Sequence, residues 1–167
     1  MIVLVGFMGA GKTTVGQLLA TRLGLPFADA DTVIEDRAGT PVPQIFAERG
    51  EPAFRTLEHE TIASLLTGPR LVLALGGGAV EHDRTRRLLK TAEETVYLHV
   101  PYQAALVRVG GDDGRPMLRR PDLAQVYRRR LTAYEEVATL TVSTEGRHPE
   151  HVCADIVNHV ARAQPAR

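Results

Sequence analysis

Cysteine is nearly missing from this chain of 167 residues: Cys153 stands alone. A single thiol forms no internal disulfide and builds no cysteine metal cluster, so Cys153 reads as a small apolar residue on a C-terminal helix. Lysine is scarce too. Lys12 and Lys90 are the only two, and every other basic side chain is arginine. Arginine suits bidentate contacts to phosphate and carboxylate, although the base composition of the source genome accounts for the bias equally well. Asparagine occurs once, at Asn158, which excludes the Asn-Lys-x-Asp motif that reads guanine in GTP switches. The formal net charge is +0, so no global field draws the protein to nucleic acid or to an anionic membrane. No apolar run approaches the ~20 residues of a membrane span. The apolar start is too short for a secretory signal and carries no basic residues ahead of it. These absences predict a reduced, cytoplasmic protein with no nucleic-acid or membrane partner.

What is present begins at Gly6. Residues 6–13 read GFMGAGKT, directly after the apolar run Ile2-Val3-Leu4-Val5. This is the pattern G-x-x-x-x-G-K-[ST] at a strand-to-helix handover. Glycines there let backbone N–H groups turn around a phosphate chain. Lys12 reaches the terminal phosphates, and the Thr13 hydroxyl can ligate Mg²⁺. The helix that follows aims its positive end at the same anion. A chance match arises in roughly one chain in a hundred of this length, and the flanking strand and helix lower that further.

Apolar strands alternate with helices along the whole chain. Strands are predicted over 2–5, 26–29, 71–75, 95–100 and 139–143. Helices are predicted over 12–23, 31–37, from about 51 to 66, and over 83–91, 102–109, 121–137 and 149–163, with a short one ending near 49. On the first helix Val15, Leu18, Leu19 and Leu23 share a face and Gly24 stops it; Asp31 is a good N-cap for the second. Five short strands separated by helices mean a three-layer α/β/α domain with a parallel sheet. One domain over residues 1–167 is expected, with a helical insertion at about 32–62 and a loop-like one at about 110–121. The latter contains GGDDGRP, the stretch expected to move.

A phosphate loop of this kind needs a metal carboxylate from a second strand end. The strand at 71–75 runs into Gly76-Gly77-Gly78 and the strand at 95–100 into Pro101. Neither supplies an aspartate. Asp29 and Asp31 remain, two apart on an extended segment and so on the same side, facing the carboxyl edge of the sheet. The plainer alternative is that Asp31 only caps a helix and Asp29 only turns the chain.

Together these segments resemble the shikimate kinases over nearly the whole length. GFMGAGKT is similar to the family's loop and FADADTVIE to its Asp-x-Asp segment. GEPAFRTLE is similar to its Gly-Glu-x-x-Phe-Arg-x-x-Glu segment and LALGGGAV to its triple-glycine strand end. GRPML resembles its lid arginine, and RLTAY its Arg-x-x-x-Tyr helix. The resemblance implies a P-loop kinase fold with five parallel strands in order 2-3-1-4-5. It also implies ATP-dependent phosphorylation of the 3-hydroxyl of shikimate, a step toward chorismate and the aromatic amino acids.

Residue by residue, it implies that Gly9, Ala10, Gly11, Lys12, Thr13 and Thr14 wrap the ATP phosphates. Arg108, Arg147 and Pro149 would flank the adenine. Thr13 and Asp29 would hold one Mg²⁺, the latter through water. Asp31 would bind the ring hydroxyls and take part in catalysis with Lys12 and Arg115, which reaches the transferring phosphate from the lid. Arg55 and Arg130 would clamp the substrate carboxylate, while Gly77 and Gly78 offer it backbone N–H groups. Ala74 stands where many relatives carry Ser or Thr, and Glu145-Gly146 replaces a more basic stretch. On the residues alone, Arg55 and Arg130 could equally be solvated helix residues. In the run Arg128-Arg129-Arg130 at most one or two can face inward. A gluconate-type sugar-acid kinase of the same fold and a non-catalytic nucleotide-binding regulator are the rival readings. A monomer is expected, since nothing in the sequence demands a dimer.

Overall fold

The computed structural model describes residues 1–110 and 121–163. Arg115, nearly all of the predicted lid at 110–121 and the last four residues lie outside the described residues.

The chain runs β1 (Ile2–Val5), α1 (Lys12–Leu23), β2 (Phe27–Asp29), α2 (Ala30–Ala38), α3 (Val42–Leu66), β3 (Val72–Ala74), a 3₁₀ turn (Ala79–Glu81), α4 (Asp83–Leu89), β4 (Glu94–His99), α5 (Tyr102–Val109), α6 (Leu123–Val137), β5 (Leu140–Ser143) and α7 (Pro149–Ala163). The strands form one sheet in the order β2-β3-β1-β4-β5, all pairings parallel. This is the predicted three-layer architecture and strand order. β1 sits at the centre, and Ile2, Val3 and Leu4 are fully buried, because a strand covered on both faces must be apolar throughout. Helices α1 and α7 pack together on one side; α4 packs with α6 and α3 on the other.

The face of α1 differs from the periodicity reading. Val15 and Leu19 are buried as expected, but the rest of the buried face is Gly16 and Ala20. Small residues are needed because α1 lies close to β2. A Cβ on Gly16 would meet the Phe27 ring at 2.5 Å.

The insertion at 32–62 is helical, as expected, and has its own small core. Ile34 of α2 meets Ile45 and Phe54 of α3, flanked by Phe46 and Leu57. Within α3 the helical path breaks at Gly50, whose φ of 76° is non-helical; Pro52, lacking an N–H to donate back, follows it. The kink divides the segment where the two predicted helices met. The N-cap of α2 is a correction. Asp29, not Asp31, caps it, its carboxylate accepting from the Asp31 backbone N–H at 3.1 Å. The helix starts a turn's fraction earlier than predicted because β2 ends directly in it. Cys153 is buried on α7 as expected.

Candidate active site

The loop between β1 and α1 lies at the carboxyl end of the central strand. Its glycines are fixed by space as well as by dihedral. Gly9 has φ of 73°, and a Cβ there would stand 2.9 Å from the Ala105 carbonyl oxygen. The Lys12 ammonium donates to the Gly6 carbonyl at 2.8 Å and to the Phe7 carbonyl at 3.1 Å. It is thereby folded over the mouth of the loop. α1 carries no acidic residue in its first turn, so nothing there offsets its positive end.

Thr13 and Asp29 meet across the start of α1. The Thr13 hydroxyl donates to Asp29 Oδ2 at 3.1 Å, while Asp29 Oδ1 is occupied by the α2 cap. A hydroxyl beside one carboxylate oxygen is a hard oxygen donor pair of the sort Mg²⁺ takes together with substrate phosphates and water. The residues therefore fit the ion that the sequence pattern implied.

Next to the loop is a cavity of ≈ 170 Å³ walled by Met8, Phe46, Phe54, Asp31, Arg55, Glu58, Arg130 and the Gly76–Gly78 backbone among others. The phosphate loop contributes Met8, the insertion α2–α3 contributes Asp31, Arg55 and Glu58, and α6 contributes Arg130. Side chains stand directly over the triple glycine. A Cβ on Gly78 would lie 2.1 Å from an Arg55 guanidinium nitrogen, and one on Gly76 2.8 Å from Asp31 Oδ1. Larger residues would fill the cavity floor. The Tyr134 hydroxyl, buried on α6, donates to the Gly77 carbonyl at 2.6 Å and fixes this turn.

The charges form one network. Arg55 donates to Glu58 at 2.8 Å and to Glu51 at 3.1 Å. Arg130 donates to Glu81 at 2.6 Å, and the same Glu81 oxygen lies 3.7 Å from Arg55. Two guanidinium groups, from α3 and α6, thus converge within reach of a single carboxylate oxygen. Of the three consecutive arginines only Arg130 is buried; Arg128 and Arg129 are exposed. Burial pushes the Glu58 carboxyl up to about 7 against the pull of Arg55. Burial also raises Asp31, with Asp29 adding to the rise and Lys12 opposing it. A carboxylate so raised is a better proton acceptor.

On the other side of the loop a second cavity of ≈ 240 Å³ gathers Gly9, Ala10, Gly11, Thr14, Arg108, Arg147 and Pro149, with Val15, Thr144 and Val152. Arg108 donates to the Gly9 carbonyl and to the Thr144 hydroxyl, both at 3.0 Å. Arg147 pairs with Asp155 at 2.7 Å.

Arg115 lies outside the described residues; Asp29 stands against Thr13 at the start of α1, and every other residue predicted for the site lies at one of the two cavities or on the phosphate loop and the start of α1. Sequence reasoning missed Glu58, Glu81 and Thr144. Glu58 sits three residues after Arg55, the spacing at which helix side chains meet, so that signal was available. Glu81 and Thr144 carried none.

Residues 8–161 match the family model of shikimate kinase. A shikimate kinase of Moorella thermoacetica is 46% identical over 158 residues, covering 93% of this chain and 91% of its own. Among solved structures, a shikimate kinase from Acinetobacter baumannii in complex with shikimate superposes with a TM-score of 0.90 at 38% identity, covering 99% of this chain and 94% of that one. A gluconokinase from Sinorhizobium meliloti, 20% identical with a TM-score of 0.64, covers 96% of this chain and 91% of its own and shares the fold alone.

Proposed function

This chain belongs to the shikimate kinase family, and from that premise we infer that it transfers a phosphoryl group from ATP to the 3-hydroxyl of shikimate. The observation that carries the reading at the level of chemistry is that Arg55 and Arg130 both line the cavity shared with Asp31 and Met8 of the phosphate loop, close enough together for both to approach one oxygen of Glu81. A hydroxylated ring acid needs a cation pair for its carboxylate and an acceptor near its reacting hydroxyl.

In this reading ATP lies along the loop from Gly9 to Thr14, with its base in the cavity flanked by Arg108, Arg147 and Pro149. Lys12 and the N-terminus of α1 gather the negative charge that moves to the leaving phosphate. Thr13 and Asp29 would hold Mg²⁺, which would supply charge neutralisation to the phosphates. Arg55 and Arg130 take the carboxylate, and the Gly77 and Gly78 N–H groups add donors. The ring's reacting hydroxyl is then aimed away from the clamp, toward Asp31, which orients it and accepts its proton. Arg115 acts on the transferring group from the lid segment. Held between fixed ends, acceptor and donor gain the entropy advantage of a positioned pair.

The chain is read as a single kinase domain with its substrate insertion at 32–62 and lid at 110–121. We further read it as a cytoplasmic monomer. Among the described residues no helix is long and apolar enough to cross a membrane. The test is ADP release from ATP and Mg²⁺ with shikimate, against gluconate as the rival acceptor. Turnover with shikimate and none with gluconate is expected; the reverse overturns the reading.

A further inference from the structure

Glu81 closes the 3₁₀ turn that follows the triple glycine; its backbone N–H donates to the Gly78 carbonyl at 2.9 Å. Its carboxylate is used on both oxygens. Oε1 takes the exposed Arg129 in a two-pronged contact at 2.8 and 3.2 Å. Oε2 takes Arg130 at 2.6 Å and approaches Arg55 to 3.7 Å. Among the described residues Glu81 is the one ion-pair partner of Arg130, whose side chain is only 5% exposed. Arg55, by contrast, also has Glu51 and Glu58.

The direction of approach matters. Glu81 does not line the inner cavity with Asp31, Glu58 and the glycines. It lines the outer groove beside Glu51, Pro52, Thr56 and His82, which Arg55 reaches from its other side. Glu81 therefore stands behind the two arginines as seen from the cavity.

We propose that Glu81 is the positioning residue of the carboxylate clamp, holding Arg55 and Arg130 together from outside so that their inner faces stay open to the substrate carboxylate. The proposal rests on the shikimate reading above. Two neighbouring cations, one of them buried, repel each other, and a negative charge shared between them from behind keeps both in place before substrate arrives. Ordering two long side chains in advance spares that part of the entropy cost at the moment of binding. An acidic group in front of the arginines would instead compete with the substrate.

The test is steady-state kinetics on Glu81→Ala, Glu81→Gln and Arg129→Ala, with thermal melts to follow folding. Glu81→Ala is expected to raise KM for shikimate about tenfold, the combined cost of ordering both side chains, with kcat within about twofold of wild type and KM for ATP unchanged. Glu81→Gln keeps an oxygen that accepts from Arg130, so its KM should rise only about threefold. Arg129→Ala, on the exposed rim, should leave KM for shikimate within about twofold. Should Glu81→Ala fail to fold, Glu81→Gln decides the matter alone. An unchanged or lowered KM for shikimate in the deciding variant overturns the proposal, as does a parallel loss in kcat and in both KM values. Wild-type turnover in the same assay separates the two readings: its absence defeats the shikimate assignment, whereas its presence with an unaltered Glu81 variant defeats only the role of Glu81.

Discussion

In the proposed reading the two ends of the cleft hold anions by different means. At the phosphate end backbone N–H groups at the start of α1 act with the single ammonium of Lys12, on a loop rooted in the central strand of the main core. At the carboxylate end the donors are side chains from α3 and α6, above a small satellite core of Ile34, Ile45 and Phe54. Backbone dipoles are aimed once by the fold and need no counter-charge. Guanidinium groups call for counter-charge before the substrate arrives; Glu51 and Glu81 supply it, and Glu58, paired with Arg55 but pushed up to about 7 by burial, adds its charge only as it loses its proton. The phosphate end is therefore rigid and electrostatically simple, while the carboxylate end is a balanced network in which one lost partner disturbs the rest.

The largest expected effect breaks the rigid end. Lys12→Ala removes the ammonium that spans the loop mouth, and we expect kcat to fall by about 10³-fold or more, the scale of a lost transition-state charge donor. The fold should survive, since Lys12 begins a helix at the surface of the site. Retention of turnover within about tenfold would remove the loop from the chemistry.

Next comes the balanced end. Arg130→Ala leaves a desolvated substrate carboxylate half paired, a loss of about 3–5 kcal/mol, or roughly 10²- to 10⁴-fold in kcat/KM for shikimate. KM for ATP should hold. Arg55→Ala should match it in kinetics but unfold more easily, because it strands Glu58, which is 1% exposed. Equal melting temperatures for the two variants would show that the network does not carry the stability assigned to it.

A smaller effect distinguishes the two aspartates between the ends. Asn caps a helix about as well as Asp, so Asp29→Asn keeps the α2 cap and tests the metal contact by itself. The Mg²⁺ concentration for half-maximal rate should rise severalfold on loss of a charged oxygen ligand. Asp31→Asn should lower kcat and leave that concentration alone. Identical Mg²⁺ titrations for the two variants would end this division of labour.

The same contrast explains what the sequence could be made to reveal. The phosphate loop is contiguous and its chemistry follows from local spacing, so Gly9, Gly11, Lys12 and Thr13 could be read directly, while Ala10 and Thr14 came through resemblance. The sheet order came through resemblance, and the strands themselves through apolar runs. The clamp needed more. Which of Arg128, Arg129 and Arg130 faces inward depends on how α6 is rotated against the 3₁₀ turn, a tertiary fact. Glu81 and Thr144 act on partners 36 to 49 residues away, and no local pattern encodes that. The cap on α2 was misassigned by two residues because propensity gives no warning that a three-residue strand runs straight into a helix.

The smallest effect concerns pH, and it sharpens the comparison most directly. Glu58 titrates near 4.5 when unfolded and is pushed up to about 7 by burial, with Arg55 pulling down and Asp31 pushing up. A carboxyl raised in this way keeps its proton in the folded state over a range where the unfolded chain has released it. Its contribution to stability is therefore largest below about 4.5 and declines as pH rises toward about 7, by at most about 1.4 kcal/mol per pH unit for one proton. Glu81 runs the other way. Its arginine partners hold it below the usual carboxylate range despite partial burial, so its contribution is present above its unfolded value and is lost as pH falls through its folded one. The two windows do not overlap, which lets one be read without the other. Denaturant midpoints of wild type and Glu58→Gln at pH 5, 6 and 7.5 give the difference due to Glu58 alone. Wild type should lose stability relative to the variant as pH rises across this range, since the neutral amide has no proton to release. Parallel midpoints at all three values would mean that Glu58 stays charged throughout, and the carboxylate end would then be as fixed in its electrostatics as the phosphate end.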